Sequence, residues 1–226
     1  MIKVHNLSKS FGSFLILDDI NLELQKGRIY GFVGKNGSGK TTLFKCIAGL
    51  EEFRGGIVSD YDSLKNHTGL LLAEPYFIAK MTAREYVILM CNARDVSSDE
   101  IDRQNIFELP LDRYASQYST GMKKKLALFA ILLQKNDFFI LDEPFNGVDI
   151  QSNMIISELL KKLKELGKIV IISSHIFSSL TDICDEISWL KDGQTSPNYN
   201  KGNFELLEAE MKTSVISDRI SLLNLE

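Results

Sequence analysis

Apolar and polar residues alternate along "MIKVHNLSKSF" and "LILDDINLEL", and "KGRIYGFVG" follows. A side-chain period of two predicts strands over residues 1–34, with Gln25–Gly27 as a tight turn between them. "TTLFKCIAGL" then changes to three-and-four spacing, the mark of a short helix ending near Gly49. "FRGGIVSDYDSL" returns to strand and turn, and "TGLLLAEP" is a short apolar strand stopped by Pro75. From Thr82 the pattern is helical. "TAREYVILMCNAR" opens with a capping box, Thr82 to Glu85. "SSDEIDRQNIFELP" is expected to continue helical to Pro110, and "GMKKKLALFAILLQ" to form a third helix. Residues 76–135 therefore read as a helical lobe set into an α/β domain.

Two later runs, "DFFILDEP" and "KIVIISSH", are apolar without alternation. Such strands are buried on both faces, as in a parallel sheet. The helical pattern "QSNMIISELLKKLKELG" separates them. "IFSSLTDICDEI" predicts another helix, and "SWLKDGQ" a turn at Asp192–Gly193. Residues 195–203, "TSPNYNKGN", look like a linker, and 204–226 like one more helix and a tail. The expected organisation is a single domain over 1–226. Its core spans 1–75 and 136–194, its helical part 76–135 and its tail 195–226.

Composition narrows the classes. The chain has 226 residues, 44% hydrophobic and 25% charged, an ordinary globular balance able to bury a core without staples. A net charge of -4 gives no electrostatic footprint for nucleic acid. Cys46, Cys91 and Cys184 are far apart, odd in number and in no metal-ligand spacing, so reduced core cysteines are expected. The N-terminus lacks an apolar signal-peptide core, and no run reaches the roughly 18 apolar residues that span a bilayer. A membrane role has to come through a partner.

Four segments carry candidate chemistry. "GKNGSGKT", Gly34 to Thr41, fits G-x-x-x-x-G-K-[ST] and stands between a strand and a helix. Backbone N–H groups of Gly34, Lys35, Asn36, Gly37, Ser38 and Gly39 can close around phosphate oxygens at a helix N-terminus. Lys40 reaches the β- and γ-phosphates, and the Thr41 hydroxyl ligates Mg²⁺. Asp142 and Glu143 end a buried strand, where Asp142 suits Mg²⁺ and Glu143 a general base for water. His175 ends another buried strand, at the sheet edge where α/β proteins bind ligands. It can hold the γ-phosphate or the attacking water. "YSTGM", Tyr118 to Met122, is a helix start in which Ser119 or Thr120 caps orphan N–H groups. Those N–H groups also make an anion site. Lys123, Lys124 and Lys125 read best as a solvated helix face.

Taken together, these motifs resemble the ATP-binding subunit of an ATP-binding-cassette (ABC) transporter, over about residues 2–194 and in the family's order. "GKNGSGKTT", ending at Thr42, is similar to the Walker A loop and "FFILDEP" to Walker B. "NGVD", Asn146 to Asp149, resembles the D-loop, and His175 the switch histidine. The resemblance implies a RecA-like core with a parallel central sheet, an N-terminal antiparallel β-subdomain and an inserted α-helical subdomain. It implies ATP and Mg²⁺ as cofactors, Glu143 as catalytic base, Phe11 stacking on adenine and Ile16 covering the base. "YSTGM" takes the place of the signature sequence, whose Ser119 and Gly121 would face ATP held by a second cassette. The partners implied are that second cassette and a transmembrane permease subunit, which would hold the chain at the inner face of the cell membrane. Cassettes of bacterial exporters with separate membrane subunits are the most similar.

The sequence departs from the family where a glutamine is usual. Ala73 holds that place and Glu74 is next to it, so either Glu74 takes over the contact or the contact is missing. A soluble ABC ATPase of translation or DNA maintenance is the alternative, but a single cassette leaves no room for a second cassette or a coiled-coil arm. A GTPase would need N-K-x-D, which the sequence lacks.

Overall fold

The computed structural model describes residues 1–216. Strands β1 (Ile2–Phe11) and β2 (Phe14–Leu24) form a hairpin, and β3 (Arg28–Val33) leads through the P-loop into helix α1 (Lys40–Ile47). β4 (Arg54–Ser59), a helical turn α2 (Leu64–His67) and β5 (Thr68–Leu71) follow. The lobe contains α3 (Ala83–Asn92), α4 (Ile101–Gln104) and α5 (Thr120–Leu133). The chain returns with β6 (Phe138–Leu141), α6 (Ile150–Glu165), β7 (Ile169–Ser174), α7 (Ser178–Thr181), β8 (Glu186–Lys191), β9 (Gln194–Thr195), β10 (Tyr199–Asn200) and α8 (Phe204–Ile216).

β2, β1 and β4 make a three-stranded antiparallel sheet. The central sheet runs β10-β8-β3-β7-β6-β5, parallel from β8 to β5, with β10 and β9 antiparallel to β8. Every residue of β6 and β7 is buried, as their unbroken apolar runs require. The strand period divides them between two cores. Phe138, Ile140, Ile169 and Ile171 pack with β1, β2 and α1 through Leu7, Ile20 and Phe44. Phe139, Leu141, Val170 and Ile172 pack on the opposite face with Leu126, Phe129, Ile156 and Leu207.

Order in the sheet positions the site. β7 lies between β3 and β6, pairing Val33 with Ser174 and Leu141 with Ile172. The P-loop, Asp142–Glu143 and His175 therefore leave adjacent parallel strands at one edge.

Several local expectations are corrected. Residues 97–110 hold only the single turn of α4. Asn105 donates its amide to the Leu109 carbonyl at 2.9 Å and accepts the Leu109 N–H at 3.0 Å, closing a loop instead of continuing a helix. Glu108 adopts φ 50°, incompatible with helix. The helix expected over Ile176–Ile187 is also one turn, α7. The Asp185 N–H donates to Ile29 O at 2.8 Å and the Asp185 carboxylate accepts the Ile29 N–H at 3.0 Å, so the chain joins the sheet as β8. The linker-like 195–203 supplies Thr195 of β9 and the edge strand β10. The capping box at Thr82 forms as expected. Asp192 (φ 49°) and Gly193 (φ 81°) make the expected turn between β8 and β9. All three cysteines are buried and free. The last helix is described to Ile216; the tail expected beyond it lies outside the described residues.

Candidate nucleotide site

A cavity of about 380 Å³ opens at the sheet edge, lined by Phe11, Ile16, Asn36, Gly37, Gly39, Lys40, Thr41, Thr42, Ala73, Asp142 and Glu143. It gathers most of the residues singled out in the sequence. Lys35 and Ser38 line an adjoining cavity of about 410 Å³ under Trp189 and Lys191. A Cβ at Gly34 would stand 2.6 Å from Leu190 O, so only glycine lets the loop start this close to β8.

The P-loop presents an open helix end. Gly39, the N-cap of α1, has φ 104° and no side-chain cap, and the first turn carries no acidic residue. The first-turn residues Lys40, Thr41 and Thr42, whose N–H groups lack intrahelical acceptors, line the cavity. Lys40 is buried and donates to Gly34 O at 2.7 Å and Lys35 O at 3.1 Å. Desolvation lowers its pKa from the lysine value, against the opposing charges of Glu143 and Asp142.

Asp142 sits in a network of hydroxyls. The Thr41 hydroxyl donates to its Oδ2 and the Ser173 hydroxyl to its Oδ1. Ser173 Oγ also accepts the Glu143 N–H at 2.9 Å. Glu143 lies at φ 53°, a left-handed conformation costing a non-glycine residue about 1–3 kcal/mol. Its Oε2 meets His175 Nδ1 at 3.0 Å, while its Oε1 is buried and has no hydrogen-bond partner among the described residues. A carboxylate oxygen left unpaired in a polar cavity is suited to accept a proton from bound water. The residues also fit Mg²⁺: a hydroxyl and a carboxylate in mutual contact are hard oxygen ligands. Ala73 reaches the cavity wall; Glu74 is exposed and makes no hydrogen bond or ion pair among the described residues.

Ser119 and Gly121 are not in this cavity. Ser119 accepts the Met122 N–H at 3.3 Å as N-cap of α5. Gly121 packs so closely on the D-loop that a Cβ would stand 2.4 Å from Gly147 O. The three lysines do not form a solvated face. Lys124 is 2% exposed and donates to Glu143 O at 2.7 Å and Asn146 O at 2.9 Å. Lys125 reaches Asp149 and Ser152, both at 3.0 Å.

The profile described as ABC transporter matches residues 17–146, more than half of the chain. The chain belongs to the ABC transporter family. It is an ATP-binding cassette and an ATPase of that family. It is 28% identical to the lantibiotic transport ATP-binding protein SrtF of Streptococcus pyogenes, over 97% of this chain and 99% of that one. It is 30% identical to the bacitracin transport ATP-binding protein BcrA of Enterococcus faecalis, over 97% of this chain and 77% of that one. A solved ATP-binding subunit of an ABC transporter superimposes with TM-score 0.83 at 24% identity, over 92% of this chain and 93% of the other. A dimeric cassette bound to ADP and Pi superimposes with TM-score 0.78 at 24% identity, over 89% and 99%. These structures share the ABC cassette fold: a parallel sheet core, an antiparallel N-terminal sheet and a helical lobe.

Two residues of the ABC site escaped the sequence reading. Ser173 was legible as a polar residue in the buried run "KIVIISSH". The burial of Lys124, though not its partners, was legible from spacing, since 121, 124, 128 and 131 share one face of α5 and all four are buried.

Proposed function

We propose that the cassette binds Mg²⁺·ATP in the 380 Å³ cavity and pairs head-to-tail with a second cassette. Hydrolysis then drives transport through a separate membrane-embedded permease. The observation that carries this reading is the Glu143 carboxylate, with one oxygen on His175 and the other buried, unpaired, beside Lys40 and the P-loop. Phe11 offers a half-exposed ring to adenine and Ile16 borders it. The N–H groups of the α1 first turn hold phosphate oxygens. Lys40 exchanges its two carbonyl acceptors for them, forming charge-assisted bonds. Thr41 and Asp142 hold Mg²⁺, which when bound neutralises phosphate charge. Glu143 Oε1 takes the proton of the attacking water while His175 fixes Oε2. Ser119 and Gly121, remote from this cavity, serve the γ-phosphate in the partner cassette.

Among the described residues no helix is long and apolar enough to cross a membrane. Relatives named for lantibiotic and bacitracin transport support a role in transport; export, with the chain docked at the inner face of the cell membrane, is the direction the motifs' resemblance to exporter cassettes implies. The whole of 1–226 acts as one cassette, with the lobe around 76–117 coupling it to the permease.

Glu143→Gln tests the reading. Turnover should fall about 100- to 10,000-fold, with ATP binding retained and a dimer appearing with ATP in size-exclusion chromatography. Unchanged hydrolysis would place the base elsewhere, and no ATP-dependent dimer would remove the composite site.

A further inference from the structure

We infer that Lys124 is a positioning residue for the hydrolytic base, tying the start of α5 to the Glu143–Gly147 segment. An ammonium at 2% exposure costs several kcal/mol to desolvate, and an apolar side chain would fill the same space without that cost. Among the described residues no carboxylate is hydrogen-bonded to Lys124, although the charges of Glu143, Asp142 and Glu74 act on it and oppose the desolvation that lowers its pKa. Its bonds go to two main-chain carbonyls, Glu143 O and Asn146 O.

What the ammonium adds is geometry. Glu143 O accepts Lys124 Nζ at 2.7 Å and the Asn146 N–H at 3.2 Å. The Glu143 N–H is held by Ser173 on the opposite side. With both ends of the residue bonded, the left-handed backbone that aims its carboxylate at the cavity is fixed. The same helix start touches the D-loop twice more, at Gly121 against Gly147 O and at Lys125 against Asp149. The first turn and a half of α5 and residues 143–149 are thus locked together. This inference rests on the proposed reading, in which Ser119 and Gly121 meet ATP in the partner cassette. A shift of α5 on dimer closure then reaches Glu143 through Lys124, so engagement at the partner's site sets the aim of this chain's own base.

Lys124→Met keeps volume and removes the donor; Lys124→Gln keeps a shorter donor. Steady-state ATP hydrolysis by the purified chain should show kcat about 100-fold lower for Met and intermediate for Gln. KM and calorimetric ATP affinity should stay within about 3-fold for both, because Lys124 does not line the cavity. Unchanged kcat in Lys124→Met overturns the inference, as does a loss of ATP affinity matching the loss of kcat. If the Met variant does not fold, the Gln variant decides: reduced kcat at unchanged KM supports the positioning role, and wild-type kcat overturns it. Failure of the proposed function is separate, since it appears in Lys124-intact protein as absence of the ATP-dependent Glu143→Gln dimer.

Discussion

Helices α1 and α5 begin in opposite ways. α1 starts on Gly39, with no side-chain cap, at the wall of a cavity. α5 starts on Ser119, whose hydroxyl already accepts the Met122 N–H, away from that cavity. An uncapped start leaves orphan N–H groups for a phosphate; a capped start has satisfied one of its own. Both segments are small residues before a lysine. On the proposed reading one binds phosphate within the chain, and the other is a folded helix end that gains a ligand only when a second molecule brings one. On that reading a nucleotide site is half-built by local structure and completed by assembly.

The comparison breaks first at Lys40. Lys40→Ala removes charge-assisted donors worth about 1.5–3 kcal/mol each, so ATP affinity by calorimetry should fall about 100-fold. Equal affinity in the two proteins would mean that α1 does not hold the phosphates.

Ser119→Ala sharpens the other half. Loss of an N-cap costs about 1 kcal/mol, which lowers Tm by about 2–4 °C in a chain of this size. ATP affinity of the monomeric chain should be unchanged while the ATP-dependent dimer formed by Glu143→Gln weakens. A fall in monomer ATP affinity would place Ser119 at its own chain's nucleotide.

The smallest effect belongs to a third helix start. Asp149 caps α6, accepting the Ser152 N–H at 2.9 Å. That bond, then Lys125 and the Ser152 hydroxyl, hold its carboxyl well below the usual range. A depressed carboxylate contributes stability that is present above its unfolded value of about 3.9 and lost as pH falls through the folded value. Tm of the wild type should therefore fall as pH drops below about 4. Asp149→Asn keeps a capping side chain and should fall less over that window. Parallel Tm profiles of the two proteins below pH 4 would assign the acid loss to other groups.

Sequence patterns served these regions unequally. The P-loop, Asp142–Glu143 and His175 were legible because each is a short motif fixed by strand ends, and a parallel sheet brings strand ends together. Residues 97–110 and 176–187 were misread as helix for a shared reason. Their apolar spacing fits a period of 3.6, but bonds from Asn105 to Leu109 and from Asp185 to Ile29 compete with helix and win. Spacing registers apolar burial and not the destination of a polar side chain.

By itself the sequence determined the strand and helix alternation, the phosphate loop, the carboxylate pair and the family, because these depend on residues near one another along the chain. Only the tertiary structure decided where Lys124 goes. Its neighbours Lys123 and Lys125 are chemically identical, and the burial of one ammonium against Glu143 O and Asn146 O depends on how α5 lands on a loop 19 to 22 residues away. It also decided that Glu143 turns left-handed with one oxygen unpaired, since Ser173, His175 and Lys124 come from different strands and helices. Long-range contacts of that kind are set by packing of the finished layers, which no local pattern encodes.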